Sequence, residues 1–282
     1  MWSSLAEYHR PTSMSDALRL LGRPSLRTVP LAGGTWLVAQ RDPTIEAVVD
    51  LSALSLASIE QRGHHLRLGA MTTLQTLVTY PAAGAMAGGL LAKAAKENAL
   101  CAVRKVATLG GTLVAGGPTC ELALALLVLD ARLVICTRTR RTVSLKAFLF
   151  NRAEYLPPAS IIIEIRLPMP PADLGAALAE VSLTPRDRPI VNAVALVSRR
   201  NGVCHGARLA LGGVAPDPIR LPTVEAMLSG SALDDDLLTR VAQEIAAVVS
   251  PPADSRASAE YRRKMAGVVA ARALREAWQQ AR

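Results

Sequence analysis

The chain has 282 residues and a formal charge of +9; half of its residues are hydrophobic but only 3% are aromatic. That length suffices for one large domain or two modest ones around an aliphatic core, and 20% charged residues is too few for a disordered chain. The positive charge is mostly Arg and scattered, which speaks against a nucleic-acid footprint; the densest run, Arg138–Arg141, reads as a solvated hairpin turn.

Chain order begins with a short helix. Ser13 is placed to cap it, Asp16 suits the positive helix end, Met14, Ala17, Leu18 and Leu21 form one apolar stripe, and Gly22 ends it. Strands are expected at 27–31, 47–51 and 65–69, the last by its alternation. Thr72-Thr-Leu-Gln75 has capping-box spacing and predicts a helix start; a second helix follows over 90–98. Pro118 and Thr119 open an apolar helix that ends near Asp130, and β-branched strands are expected at 132–137 and 160–167, with the basic turn between them.

Composition changes after Pro168, where Met169–Asp173 reads as a linker. Beyond it, the apolar runs 190–199 and 203–211 flank Asn201-Gly202, the strongest short hairpin signal. Helices are predicted over 223–228, 234–249 and 258–279.

Four cysteines, at 101, 120, 136 and 204, have no CxxC spacing, so neither zinc nor an iron–sulfur cluster is expected here. The four histidines show no metal spacing, and no nucleophile–base arrangement is legible; no catalytic residue and no metal site are predicted. The first residues lack a signal-peptide core, and the longest apolar run, Leu122–Leu129, is too short to span a bilayer. A soluble cytoplasmic protein with reduced thiols is expected.

Two glycine loops stand out: Ala32-Gly33-Gly34-Thr35 and Thr108-Leu109-Gly110-Gly111-Thr112. Paired glycines permit a tight turn with positive φ that leaves several N–H groups pointing one way, a seat for phosphate oxygens. Each loop follows a candidate strand, and two such loops could clamp both phosphates of a dinucleotide. Each is also readable as a plain turn. Neither matches GxGxxG or GK[ST], so a Rossmann site and a P-loop are excluded.

Taken together, several stretches resemble the FAD-binding medium subunit of the xanthine dehydrogenase and carbon monoxide dehydrogenase family of molybdenum hydroxylases. They are Tyr8-His-Arg-Pro11, Pro30–Thr35, Val48–Leu51, Leu68–Leu74, Val103–Gly111, Ile162–Pro168 and Ala257–Arg263, in the family's order over nearly the whole chain. The resemblance implies an α+β fold. Residues 1–170 would form a two-subdomain FAD-binding domain of the PCMH (vanillyl-alcohol oxidase-like) type, divided near residue 58. Residues 176–282 would form a small C-terminal α+β domain.

By position, the backbone of Leu31, Ala32, Gly33, Gly34, Thr35, Trp36 and Leu37, and of Thr108, Leu109, Gly110, Gly111 and Thr112, would hold the FAD pyrophosphate and ribityl. Glu121 would accept from sugar hydroxyls, and Ile162 would touch the isoalloxazine ring. Arg104 would lie near the flavin or its iron–sulfur partner, or else be a solvated Arg. Two departures stand out: Thr112 replaces the family's usual Asn, and Glu121 its Asp. The implied role is electron transfer from the [2Fe-2S] clusters of a small subunit to an external acceptor. A large subunit would carry the molybdenum cofactor, in a dimer of heterotrimers. Two alternatives stay open: a structural subunit that has lost FAD, and a free-standing flavin oxidoreductase.

Overall fold

The computed structural model describes residues 5–171, 173–184 and 187–282. The chain divides into two compact units. The first comprises the residues up to Leu77, Ala99–Ala115 and Ala131–Pro168; the second comprises Val78–Asn98, Gly116–Asp130 and Met169–Arg282.

The first unit holds two sheets. A small parallel sheet orders Glu7–His9, Ala47–Asp50 and Thr28–Leu31 side by side, with Leu31 opposite Asp50 at its carboxyl end. The helix Met14–Leu21 begins as expected, with Ser13 accepting from the Asp16 amide. The five-stranded sheet runs in the order Ile59–Arg62, His65–Gly69, Ile161–Pro168, Arg132–Cys136, Arg140–Ser144, and every neighbouring pair is antiparallel. Ala17, Leu20 and Leu21 from the helix, Val49 and Leu51 from the small sheet, and Val134, Cys136, Ile161 and Ile163 from the larger one form one buried cluster. The aliphatic core foreseen from composition takes this form.

In the second unit, a four-stranded antiparallel sheet orders Ile219–Arg220, Val203–Gly212, Val191–Arg200 and Leu174–Val181. The Asn-Gly turn is as predicted: Asn201 and Gly202 have φ of 51° and 78°, both left-handed, the pattern of a type I′ hairpin. Helices Pro222–Leu228, Asp235–Val248 and Ala259–Gln280 follow. The last two are capped by Asp234 and Ser258. All eight residues of the helix Glu121–Val128 are buried.

Several local expectations needed correction. The helix after Thr72 starts at Leu74, and the capping oxygen is that of Thr73, which accepts from the Thr76 amide; the Thr72 hydroxyl donates to the Ser58 carbonyl instead. Arg140 and Arg141 do not sit in a turn but begin a strand, and Arg141 is tied to the Glu154 and Tyr155 carbonyls. The strand Leu174–Val181 was not foreseen, because its Ala-rich sequence has no β-signature; pairing with Val191–Arg200 overrides propensity. Among the described residues no helix is long and apolar enough to cross a membrane.

Candidate functional site

The first glycine loop leaves the carboxyl end of the strand Thr28–Leu31, where parallel sheets generally present ligands. Gly33 is there because nothing larger fits: a Cβ would stand 1.9 Å from the Val106 carbonyl oxygen. Gly34 adopts a left-handed φ of 69°. Among the described residues, the amides of Gly33, Gly34, Thr35 and Trp36 have no hydrogen-bond partner. Beyond them, Val38 donates to the Gly34 carbonyl and Gln40 to that of Trp36, closing the short helix Leu37–Gln40. A run of free amides around a left-handed residue is a concave anion seat. It lines an open depression of about 900 Å³ together with Leu5, Val38, Ala39 and Arg41. The Arg41 guanidinium supplies a cation among the lining residues, and Trp36 is 47% exposed.

The second loop is built differently, and the expectation of positive φ fails there. Gly110 and Gly111 lie inside the helix Leu109–Ala115 and neither has a left-handed φ. Nor does a strand precede it; the residues before it are the helical turn Cys101–Arg104 and its extension. Its amides are also largely consumed. Leu109 donates to the Thr72 carbonyl and Gly110 to that of Ala70, both at 2.8 Å, while Gly111 donates to the Thr108 hydroxyl at 3.2 Å. The physical reason is that Thr108 caps a helix whose first amides then turn onto the Ala70–Thr72 segment. Gly110 is required by close approach, since a Cβ would lie 2.9 Å from that of Ala70.

The two loops are nonetheless brought together. Gly33 packs on the Val106–Ala107 backbone, and a Cβ on Gly111 would stand 3.7 Å from that of Ala32. The second loop therefore walls and supports the first, and Val106, Ala70 and Thr72 are the supporting residues the sequence reading missed. Spacing alone carries no signal for them, because what recruits them is the absence of side chains at Gly33 and Gly110. Arg104 is not a solvated side chain: it donates to the Ala99 carbonyl at 2.7 Å and to the Gln75 amide oxygen at 3.2 Å, bracing the lead-in. Ile162 is buried in the strand Ile161–Pro168, outside the cluster that holds Ile161 and Ile163.

Glu121 belongs to the second unit, as the first residue of the helix Glu121–Val128. Its side chain is buried, and burial pushes its carboxyl up to about 7. The Glu180 and Glu97 carboxylates push in the same direction; its own backbone amide and Arg188 oppose them. Glu180 is itself raised by burial, and its Oε2 is buried without a partner among the described residues. Among the described residues no three His, Cys, Asp or Glu side chains are grouped to hold a metal ion.

The sequence family described as FAD binding domain in molybdopterin dehydrogenase matches residues 4–170, and the CO dehydrogenase flavoprotein C-terminal domain matches residues 178–277. The chain is 29% identical to the carbon monoxide dehydrogenase medium chain of Afipia carboxidovorans, over 96% of both proteins. It is 28% identical to the xanthine dehydrogenase FAD-binding subunit of Escherichia coli O157:H7, again over 96% of each. Its structure superposes on a chain of the Cu,Mo-CO dehydrogenase with a TM-score of 0.91, at 29% identity and over the whole of both chains. The matched FAD-binding family spans more than half of the sequence, and the glycine-lined depression lies within that span; the chain thus belongs to the FAD-binding medium subunits of the xanthine dehydrogenase and carbon monoxide dehydrogenase family of oxidoreductases.

Proposed function

We propose that this chain holds FAD at the two glycine loops and relays electrons between the [2Fe-2S] clusters of a small partner subunit and an external acceptor. The large partner would carry the molybdenum cofactor and oxidise the organic substrate. The medium-chain names of its relatives support a large and a small partner subunit, and the reading extends beyond them to a cytoplasmic dimer of heterotrimers. The observation that carries it is the row of free amides from Gly33 to Trp36 around left-handed Gly34.

That row suits the pyrophosphate, with Leu31, Ala32 and Leu37 flanking it. The second loop contributes less by its amides than the sequence suggested. Its share is the wall formed by Leu109, Gly110 and Gly111 and the hydroxyls of Thr108 and Thr112. Glu121 is assigned to the sugar hydroxyls, and Ile162 to the isoalloxazine ring. Residues 1–170 would form the flavin-binding part, in two subdomains meeting near 58, and residues 176–282 the remainder. Bound flavin supplies the capacity to take up electrons singly and deliver them in pairs. The chain's own residues bind and orient it, and none needs to act as acid or base on the organic substrate.

The test is cofactor extraction. The purified complex should release FAD on acid denaturation and should contain a larger molybdenum-bearing chain and a smaller iron-bearing one. FMN, or no flavin from a folded complex with its partners, would defeat the reading.

A further inference from the structure

The buried guanidinium of Arg262 needs a reason. It lies in the first turn of the helix Ala259–Gln280 and is only 5% exposed, and its Nε has no partner among the described residues. A buried charge with an unsatisfied donor is a poor device for stability alone. Its other contacts are specific. Nη2 donates to the Asp254 carboxylate at 2.6 Å, and Nη1 to the Ile190 carbonyl at 2.6 Å, with Gly213 O further off at 3.4 Å. Asp254 is fixed in turn by the Arg256 and Ala257 amides. Arg262 thus ties the entry of the strand Val191–Arg200 to the exit of Val203–Gly212.

Those two chain ends grip one further segment. The Gly213 amide donates to the Pro118 carbonyl at 3.0 Å, and the Asn192 side-chain amide, wholly buried, donates to the Thr119 carbonyl at 3.0 Å. Gly212 lies so close that a Cβ would stand 2.6 Å from the Pro118 oxygen. Two residues beyond Thr119 comes Glu121. We propose that Arg262 is a positioning residue for Glu121: its planar fork sets the Ile190 and Gly213 carbonyls, and through Asn192 and Gly213 these hold the Pro118–Glu121 turn in register. Lys, a single charged point on a flexible stem, cannot span a carboxylate and a carbonyl in one plane. The inference rests on the reading that Glu121 accepts from FAD.

A double-mutant cycle on the full-length chain tests it, with the FAD dissociation constant as readout and folding followed by circular dichroism. Arg262→Lys should weaken FAD at least tenfold when Glu121 is present, and less than twofold in a Glu121→Ala background. The same factor in both backgrounds, or no effect in either, would reduce Arg262 to a staple of the fold and overturn the proposal. If Glu121→Ala alone leaves FAD affinity unchanged, the assignment of Glu121 fails first and the positioning role falls with it. Should Arg262→Lys not fold, Asn192→Ala replaces it in the same cycle, with the same two outcomes decisive.

Discussion

Replacing Glu121 by Gln should make the flavin-free chain more stable at pH 8 and leave it nearly unchanged at pH 4. The native carboxyl titrates at about 7, against an ordinary value of 4.5, because it is buried beside Glu180 and Glu97. Below 4.5 both folded and unfolded chains carry the proton, so nothing is lost. Between 4.5 and 7 the unfolded chain gives up its proton while the folded one keeps it, and stability falls with rising pH. Above 7 the penalty is complete. The gap of roughly 2.5 in pKa corresponds to roughly 3 kcal/mol at about 1.4 kcal/mol per unit. Gln has nearly the same shape and no charge, so it removes that slope. The assay is urea denaturation of the two proteins from pH 4 to pH 9, read as the difference between them so that groups not coupled to Glu121 cancel, the coupled Glu180 and Glu97 adding to the same slope. A difference that is flat across pH 5–8 would refute the reasoning, because it would mean that Glu121 titrates like an exposed carboxylate.

FAD should bind more tightly as pH rises through 7, since accepting from sugar hydroxyls favours the ionised carboxylate; equilibrium titration at pH 6 and pH 8 checks this, and Glu121→Gln should abolish the difference. Gly33→Ala should lower FAD affinity more than tenfold and destabilise the fold, since its Cβ must displace the Val106 backbone. Gly34→Ala, where the neighbours are 3.4 Å away and only the left-handed φ resists, should cost about 1 kcal/mol. Gly111→Val should act by pushing the Thr108 hydroxyl off the Gly111 amide, for roughly 1 kcal/mol of cap energy, visible in the melting temperature. Arg220→Met should destabilise the chain by roughly 3 kcal/mol in denaturant titration, because it takes the ion-pair partner at 2.7 Å from the mostly buried Glu225, leaving it the Leu209 amide, and leaves Asp130 with Arg208 alone.

Much of the architecture could be read from the sequence where one local rule sufficed. Ser13, Asp234 and Ser258 mark helix starts by their own hydrogen bonds, and Asn201-Gly202 marks its hairpin by backbone conformation. The resemblance gave the family. What local chemistry does not carry is the second loop's true construction. Whether a glycine is present for its φ or for its missing Cβ depends on what packs against it, and Ala70 and Val106 lie far from Gly110 and Gly33 only in sequence. The Ala-rich strand Leu174–Val181 was illegible for the same kind of reason: its identity is set by the neighbour it pairs with. The raised carboxyl of Glu121 was equally invisible, since Glu97 and Glu180 are separated from it by tens of residues.

The chain does not finish one unit before beginning the other. It passes from the first to the second after Leu77, returns at Ala99, leaves again after Ala115, returns at Ala131 and leaves for good after Pro168. Neither unit can therefore be cut out as a contiguous gene segment. A fragment beginning at Met169 would lack the helix Glu121–Val128, every residue of which is buried, and would expose the apolar faces that helix covers. During synthesis, the segments Val78–Asn98 and Gly116–Asp130 emerge long before the sheet they join, so the second unit completes only after the last helix is made. Protease nicking within residues 99–115 should consequently loosen both units at once.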